Sequence, residues 1–92
     1  MGYTRKEFGD IFNQDDSCYI YYLDESLHMH FLADADSVNL DASELSDAIY
    51  TYNLSDAVLT SYEAAKTLVF LADYLFDNKH HIVRVHSHVE WL

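Results

Sequence analysis

The 92-residue chain contains little cysteine, little glycine and little positive charge. Its single cysteine, Cys18, excludes an internal disulfide and suits a reducing compartment. Its two glycines, Gly2 and Gly9, both lie near the N-terminus, which argues against a glycine-rich loop that cradles a nucleotide phosphate. Apolar runs such as residues 68–72 are much shorter than the roughly 20 residues that span a membrane, and no signal peptide is visible. We therefore expect a cytoplasmic protein.

The composition nevertheless predicts a folded protein. Half of the residues are hydrophobic and 15% are aromatic, which excludes a disordered acidic tail and disfavours halophilic adaptation as the origin of the acidity. A chain of this length can bury one modest core. We expect a single domain that covers residues 1–92.

The strongest helical pattern covers residues 60–77. Thr60 and Glu63 form a capping-box pattern at its start, and Asp77 with Asn78 ends it. At the helical period of 3.6 residues, one face of this segment is apolar and needs a β-sheet to cover it. The residues of that face are Tyr62, Ala65, Leu68, Val69, Ala72, Leu75 and Phe76.

The rest of the chain predicts two shorter helices and three strands. A capping box of Thr4 and Glu7 starts a helix over about residues 5–12, and strands 18–23 and 27–32 form a hairpin. Asp41 and Glu44 start a helix that is lined by Leu45, Ala48, Ile49 and Tyr52, and residues 81–91 form the last strand. The predicted fold class is α+β, a small single domain in the order α-β-β-α-α-β with an antiparallel sheet of about three strands packed on helices.

Positive charge is missing from most of the chain. The chain has sixteen acidic and five basic residues, which gives a net charge of −11. No lysine or arginine lies between Lys6 and Lys66. Glu7, Asp41, Glu44 and Glu63 fit the roles of helix caps. The carboxylates in this interval without such a role are Asp10, Asp15, Asp16, Asp24, Glu25, Asp34, Asp36, Asp47 and Asp56. Uncompensated charge of this kind repels itself and lowers stability, which favours a functional reason for it.

Spaced carboxylates on a compact domain present a pattern similar to that of a nucleic-acid backbone. The expected partner is therefore the basic, nucleic-acid-binding surface of another protein, whereas direct binding of nucleic acid is disfavoured. In composition and size the chain resembles the DNA-mimic inhibitors of phages and mobile elements, such as anti-restriction and anti-CRISPR proteins. An acidic immunity protein that neutralises a basic toxin nuclease is the alternative. The expected contact residues are Asp15, Asp16, Asp24, Glu25, Asp34, Asp36, Asp47 and Asp56, with Tyr19, Tyr21 and Tyr50 as aromatic anchors.

Histidines offer a second candidate site. His28 and His30 alternate in one predicted strand, and His86 and His88 alternate in another, so each pair lies on one face of its strand. If these strands were neighbours, the four imidazoles and Glu90 would meet and could bind zinc or a related metal. A plain solvated face and a pH-sensitive face remain open, because histidine titrates near neutrality.

Catalysis is not expected, and neither is a cofactor. Cys18 lies at the start of a strand without a nucleophile motif around it, and the paired carboxylates lie in polar turns. An EF-hand is excluded because residues 34–45 carry Asn39 where the calcium loop needs glycine and Leu45 where it needs glutamate. On the polar face of the long helix, Phe70 and Tyr74 form an i, i+4 pair that predicts either a dimer contact or burial under the N-terminal helix.

Overall fold

The computed structural model describes residues 2–11 and 17–92. Five antiparallel strands form one sheet in the order β3-β2-β1-β4-β5, so the third strand of the chain and the last one form its edges. Two α-helices pack on this sheet. The elements are α1 (Arg5–Ile11), β1 (Ser17–Leu23), β2 (Met29–Leu32), β3 (Tyr50–Thr51), α2 (Tyr62–Phe76), β4 (His80–Val85) and β5 (Val89–Trp91). The chain is thus an α+β domain, but the prediction of about three strands in the order α-β-β-α-α-β is wrong.

The sheet is covered on both faces because β1 alternates between two apolar sets. Cys18 and Ile20 point to the face that α2 covers, together with Ala65 and Ala72 of the helix. We call this the helix face. Tyr19 and Tyr21 point to the opposite face, where α1 and the N-terminal residues pack, and we call that the N-terminal face. The two faces form two separate buried clusters, which is why β1 is almost wholly apolar.

The predicted last strand is in fact a hairpin of β4 and β5. Val85 pairs with Val89, and the NH of His86 donates to the carbonyl of His88 (3.1 Å) across the turn. A turn of three residues preserves the alternation of side chains, so Val83, Val85, Val89 and Trp91 would share a face in either arrangement. The periodicity therefore could not reveal the turn.

The predicted helix after Asp41 is absent. Residues 45–47 form one 3-10 turn, and Tyr50–Thr51 then pairs with β2 as the edge strand β3. Asp47 accepts NH groups from Ser43 and Glu44, which closes a local turn that competes with an α-helix. Tyrosine and threonine also favour an extended chain beside an available strand.

The ends of both α-helices follow local capping rules. The predicted capping box of α1 is confirmed, since the NH of Glu7 donates to Thr4 Oγ1 (3.3 Å) and the NH of Thr4 donates to Glu7 Oε1 (3.1 Å). For α2 the N-cap is Ser61 rather than Thr60. Asp77, in the left-handed region at φ 49°, ends α2 as predicted. No helix among the described residues is long and apolar enough to cross a membrane.

Candidate functional site

The segment between β2 and α2, residues 33–61, carries six carboxylates, and we call it the acidic connection. It contains no lysine or arginine, and every carboxylate in it is exposed or half-buried. These carboxylates belong to Asp34, Asp36, Asp41, Glu44, Asp47 and Asp56. Among the described residues, the one ion pair that joins a carboxylate to a lysine or arginine lies outside this segment, between Glu63 and Lys66 (3.2 Å). The negative charge of the connection is therefore uncompensated within the described chain.

Small apolar residues attach the acidic connection to the domain. Val38, Ala42 and Ala48 are buried in the cluster on the helix face, and Leu45 packs against it half-buried, while the other residues between them are exposed. The backbone is held further by a hydrogen bond from the NH of Val58 to the carbonyl of Leu32 (2.9 Å). The segment has little regular secondary structure, yet it is fixed on the core at several points.

Asp34 and Asp47 have structural roles within the connection. Asp34 Oδ1 accepts the NH of Asp36 (3.0 Å), and Asp47 Oδ2 accepts the NH groups of Ser43 (2.9 Å) and Glu44 (3.0 Å). The backbone hydrogen bonds from Ser43 and Glu44 lower the pKa of Asp47. Its carboxylate therefore stays charged at lower pH than an ordinary carboxyl group does. Asp34 thus shapes the turn that contains Asp36, and Asp47 shapes the turn that contains Glu44.

Large apolar side chains are exposed among these carboxylates. Leu40 is 82% exposed and Ile49 is 54% exposed, and Tyr52 and Leu59 are also exposed. Ser37 holds Ile49 beside the turn of Asp34, because its hydroxyl donates to the carbonyl of Asp34 (2.6 Å) and accepts the NH of Ile49 (3.0 Å). The sequence pattern placed Ile49 and Tyr52 on the apolar lining of a helix that does not exist, so it did not indicate their exposure. Isolated exposed apolar residues are ordinary, but several within one acidic segment make that segment the candidate contact surface.

The β1–β2 hairpin tip, which carries Asp24 and Glu25, is linked to the acidic connection through His30. Nε2 of His30 lies 2.9 Å from Asp24 Oδ2, and the imidazole ring packs against Tyr52 with centroids 4.6 Å apart. The hydrogen bond with His30 is the main cause that lowers the pKa of Asp24, followed by the NH of His28. Glu25 beside it is exposed.

The predicted aromatic anchors are not available to a partner. Tyr19 is 6% exposed and Tyr21 is 1% exposed, because both belong to the cluster under α1. Tyr50 is half-buried, and its hydroxyl lies 2.7 Å from Nε2 of His80. The predicted contacts Asp15 and Asp16 lie outside the described residues. The remaining predicted carboxylates all lie in the acidic connection or at the hairpin tip.

The contact of Tyr50 with His80 belongs to a buried polar chain at one end of the sheet. His80 is 3% exposed, and its Nδ1 lies 3.0 Å from Asp73 Oδ1 and 2.8 Å from the carbonyl of Asn78. Burial is the main cause that raises the pKa of Tyr50, so its phenol stays protonated and is a poor nucleophile. The arrangement joins β3, β4 and the C-terminal turn of α2, which gives it a structural role.

The structure separates the four candidate histidines into two groups. Strand β1 lies between β2 and β4, so His28 and His30 do not meet His86 and His88. The predicted convergence of four imidazoles with Glu90 is therefore wrong. His86, His88 and Glu90 do converge at the turn of the β4–β5 hairpin, where one ligand atom of each lies within 4.8 Å of the others.

The aromatic pair on α2 is exposed. Phe70 is 77% exposed and Tyr74 is 78% exposed, and α1 packs on the opposite face of the sheet. Burial under the N-terminal helix is therefore wrong, whereas the dimer contact stays a prediction.

Comparisons of the chain with protein-family models, curated proteins and solved structures give no match.

Proposed function

We propose that this protein is an inhibitor that binds the basic, nucleic-acid-binding surface of a partner protein through its acidic connection and hairpin tip. The observation that carries the proposal is the exposure of Leu40 and Ile49 among carboxylates that have no lysine or arginine partner within the described chain. This combination supplies the two chemical components of a protein interface, exposed apolar side chains and charged groups. The proposal assigns no catalytic step to the chain.

The two components contribute differently to binding. An exposed ion pair contributes only about 0–1 kcal/mol, so no single carboxylate should be decisive. The field of several carboxylates accelerates encounter with a basic surface and excludes acidic partners. Desolvated apolar anchors contribute more, and truncation of a central anchor typically costs about 2 kcal/mol or more. We expect Leu40 and Ile49 to act as such anchors.

The proposed partner class follows from chemistry that nucleic acid and this surface share. A groove lined with lysine and arginine to bind phosphates also accepts spaced carboxylates. A DNA-mimic inhibitor of phage origin and an immunity protein against a basic toxin nuclease would use the same surface. Since the proposed partners act on nucleic acid inside cells, we place the protein in the cytoplasm.

The test is affinity capture of the partner from the native host with the full chain as bait, washed at increasing salt. We expect a protein with a basic nucleic-acid groove that elutes as the salt rises, because screening lengths fall to about 3 Å at 1 M. Duplex DNA or RNA should compete with the bait. A captured partner without such a groove, or a complex that survives 1 M salt and excess nucleic acid, would contradict the proposal.

Two matched charge reversals locate the contact surface. Asp36→Lys with Asp41→Lys alters the acidic connection, and Asp10→Lys with Glu63→Lys alters exposed positions on the helices. Both variants change the net charge from −11 to −7. The first should weaken binding by more than about tenfold, because two clustered charges then repel the basic groove, whereas the second should have a much smaller effect. Equal losses would show that net charge alone, and not this surface, governs binding.

A second pair of variants tests the apolar anchors. Leu40→Ser removes an exposed side chain of the acidic connection, and Phe70→Ser removes a similarly exposed one from α2. Both should leave the melting temperature almost unchanged. Leu40→Ser should weaken binding to the captured partner, and Phe70→Ser should not.

A further inference from the structure

Three metal-binding side chains converge on the turn that joins β4 to β5. His86 and His88 lie within the turn, and Glu90 follows in β5. Nε2 of His86 lies 3.1 Å from Glu90 Oε2, and the two imidazole rings have centroids 4.2 Å apart. One ligand atom from each residue lies within 4.8 Å of the other two. The sharp reversal of the chain produces this geometry, because it turns positions 86, 88 and 90 toward one another.

We infer that this turn binds a divalent transition-metal ion of the zinc class. Zinc takes imidazole nitrogen and carboxylate oxygen at about 2.0–2.2 Å in tetrahedral geometry, which sets its ligand atoms roughly 3.3 Å apart. The 3.1 Å separation of the His86 and Glu90 atoms is already close to that value, and a ligand atom of His88 lies within 4.8 Å of the other two ligands. Water would complete the coordination. Calcium and magnesium prefer sets of oxygen ligands, and this turn offers one carboxylate among its three ligands.

Two features around the turn favour metal binding, and one weakens it. His88 is exposed and the other two ligands are half-buried, so an ion can enter from solvent. The hydroxyl of Ser87 lies 3.3 Å from Nδ1 of His88 and can orient that ring when Nε2 binds the metal. Arg84 lies opposite Glu90 in the register of the two strands. The positive charge of Arg84 weakens the binding of a metal cation at this turn. These contacts predict a site of moderate affinity.

The site is independent of the proposed function. The turn joins β4 to the edge strand β5, whereas β3, within the acidic connection, forms the opposite edge of the sheet. The connection comes nearest to this end of β4 at Thr60, which bridges Cys18 of the intervening strand β1. Loss of zinc binding should therefore leave capture of the partner unchanged, and the reverse should also hold.

The test is calorimetric titration of the metal-free full chain with zinc chloride near pH 7.5. We expect one zinc ion per chain and a higher melting temperature in its presence. His86→Ala with His88→Ala should weaken zinc binding by about 10–100-fold or more, since removal of second-sphere partners alone costs that much. His28→Ala is the matched control, because the side chain of His28 is 28% exposed, similar to 26% for His86, and lies in the turn between β1 and β2.

Further variants keep the test decisive. Glu90→Gln retains the size of the side chain and should also weaken zinc binding, whereas Arg84→Gln should strengthen it. Cobalt(II) should give the visible absorption of a tetrahedral nitrogen and oxygen site. Acidification should weaken binding because protons compete for the imidazoles. Absence of saturable binding, or zinc binding of equal strength in the His86→Ala, His88→Ala variant, would show only adventitious contacts with surface carboxylates and overturn the inference.

Discussion

At the scale of single residues, the two glycines have opposite roles. A Cβ atom at Gly2 would clash with Cδ1 of Tyr52 and lie 2.9 Å from the carbonyl oxygen of Met29, whereas a Cβ atom at Gly9 meets nothing within 4 Å. Gly2→Ala should therefore reduce the free energy of unfolding by about 1–3 kcal/mol through overpacking. Gly9→Ala, inside α1, should increase it by about 0.5–1 kcal/mol. Urea unfolding of both variants measures the difference, and a neutral Gly2→Ala would mean that Tyr52 moves aside freely.

A second single residue, His81, makes the stability of the protein depend on pH. Its ring stacks on Tyr21 with centroids 5.3 Å apart, and burial lowers its pKa, with smaller contributions from Arg5 and Lys79. A lowered pKa means that the unfolded state binds the proton more readily. The contribution of His81 to stability is therefore complete above about pH 6.5, the usual pKa of histidine in an unfolded chain. It is lost as the pH falls from there through the lowered pKa of the folded state.

The variant His81→Phe keeps an aromatic stack on Tyr21 but cannot be protonated. We expect the free energy of unfolding of the wild type to fall more between pH 7 and pH 5 than that of the variant. Chemical denaturation at both pH values measures this difference. Parallel changes in the two proteins would contradict the assigned role of His81.

At the scale of elements, α1 depends on one buried side chain. Phe8 is 1% exposed and contacts the rings of Tyr19, Phe31 and Trp91 with centroids 5.7–6.1 Å apart. Phe8→Ala should lower the free energy of unfolding by about 3–5 kcal/mol, because it leaves a cavity between α1 and the sheet. Phe70→Ala, the exposed counterpart on α2, should change it by no more than about 0.5 kcal/mol. Thermal unfolding of both variants gives the comparison, and a small effect at Phe8 would show that α1 is not anchored by this residue.

The long elements could be predicted from sequence, and the short ones could not. Helix α2 and the β1–β2 hairpin have strong periodicity and local caps. Strand β3 has only two residues, and it is stable because it pairs with β2, a contact that no local pattern encodes. Tyr19 and Tyr21 were expected as exposed anchors, because no local pattern indicates that α1 covers their face of β1. Charge distribution pointed to the acidic connection, whereas its exposed Leu40 and Ile49 required the tertiary structure.

At the scale of the whole molecule, self-association and partner binding should respond oppositely to salt. Two copies of a chain with a net charge of −11 repel each other, so salt should favour a dimer through Phe70 and Tyr74. Binding to a basic partner should weaken under the same conditions. Phe70→Ser with Tyr74→Ser should remain folded, since both side chains are exposed, and should be monomeric at every salt concentration. Sedimentation velocity distinguishes these outcomes, and a dimer that persists in the variant would place the contact elsewhere.

The central position of β1 also governs how the chain folds. One neighbour of β1 is its hairpin partner β2, but the other is β4, and Tyr21 pairs with His81, 60 positions later. Closing so long a loop before its contacts form slows folding relative to a helical bundle of the same size. Until β4 pairs with β1, that edge of β1 has no partner, and the side chains of Ile20 and Tyr21 are exposed. A chain that ends before His80 should therefore aggregate through this edge during synthesis or refolding.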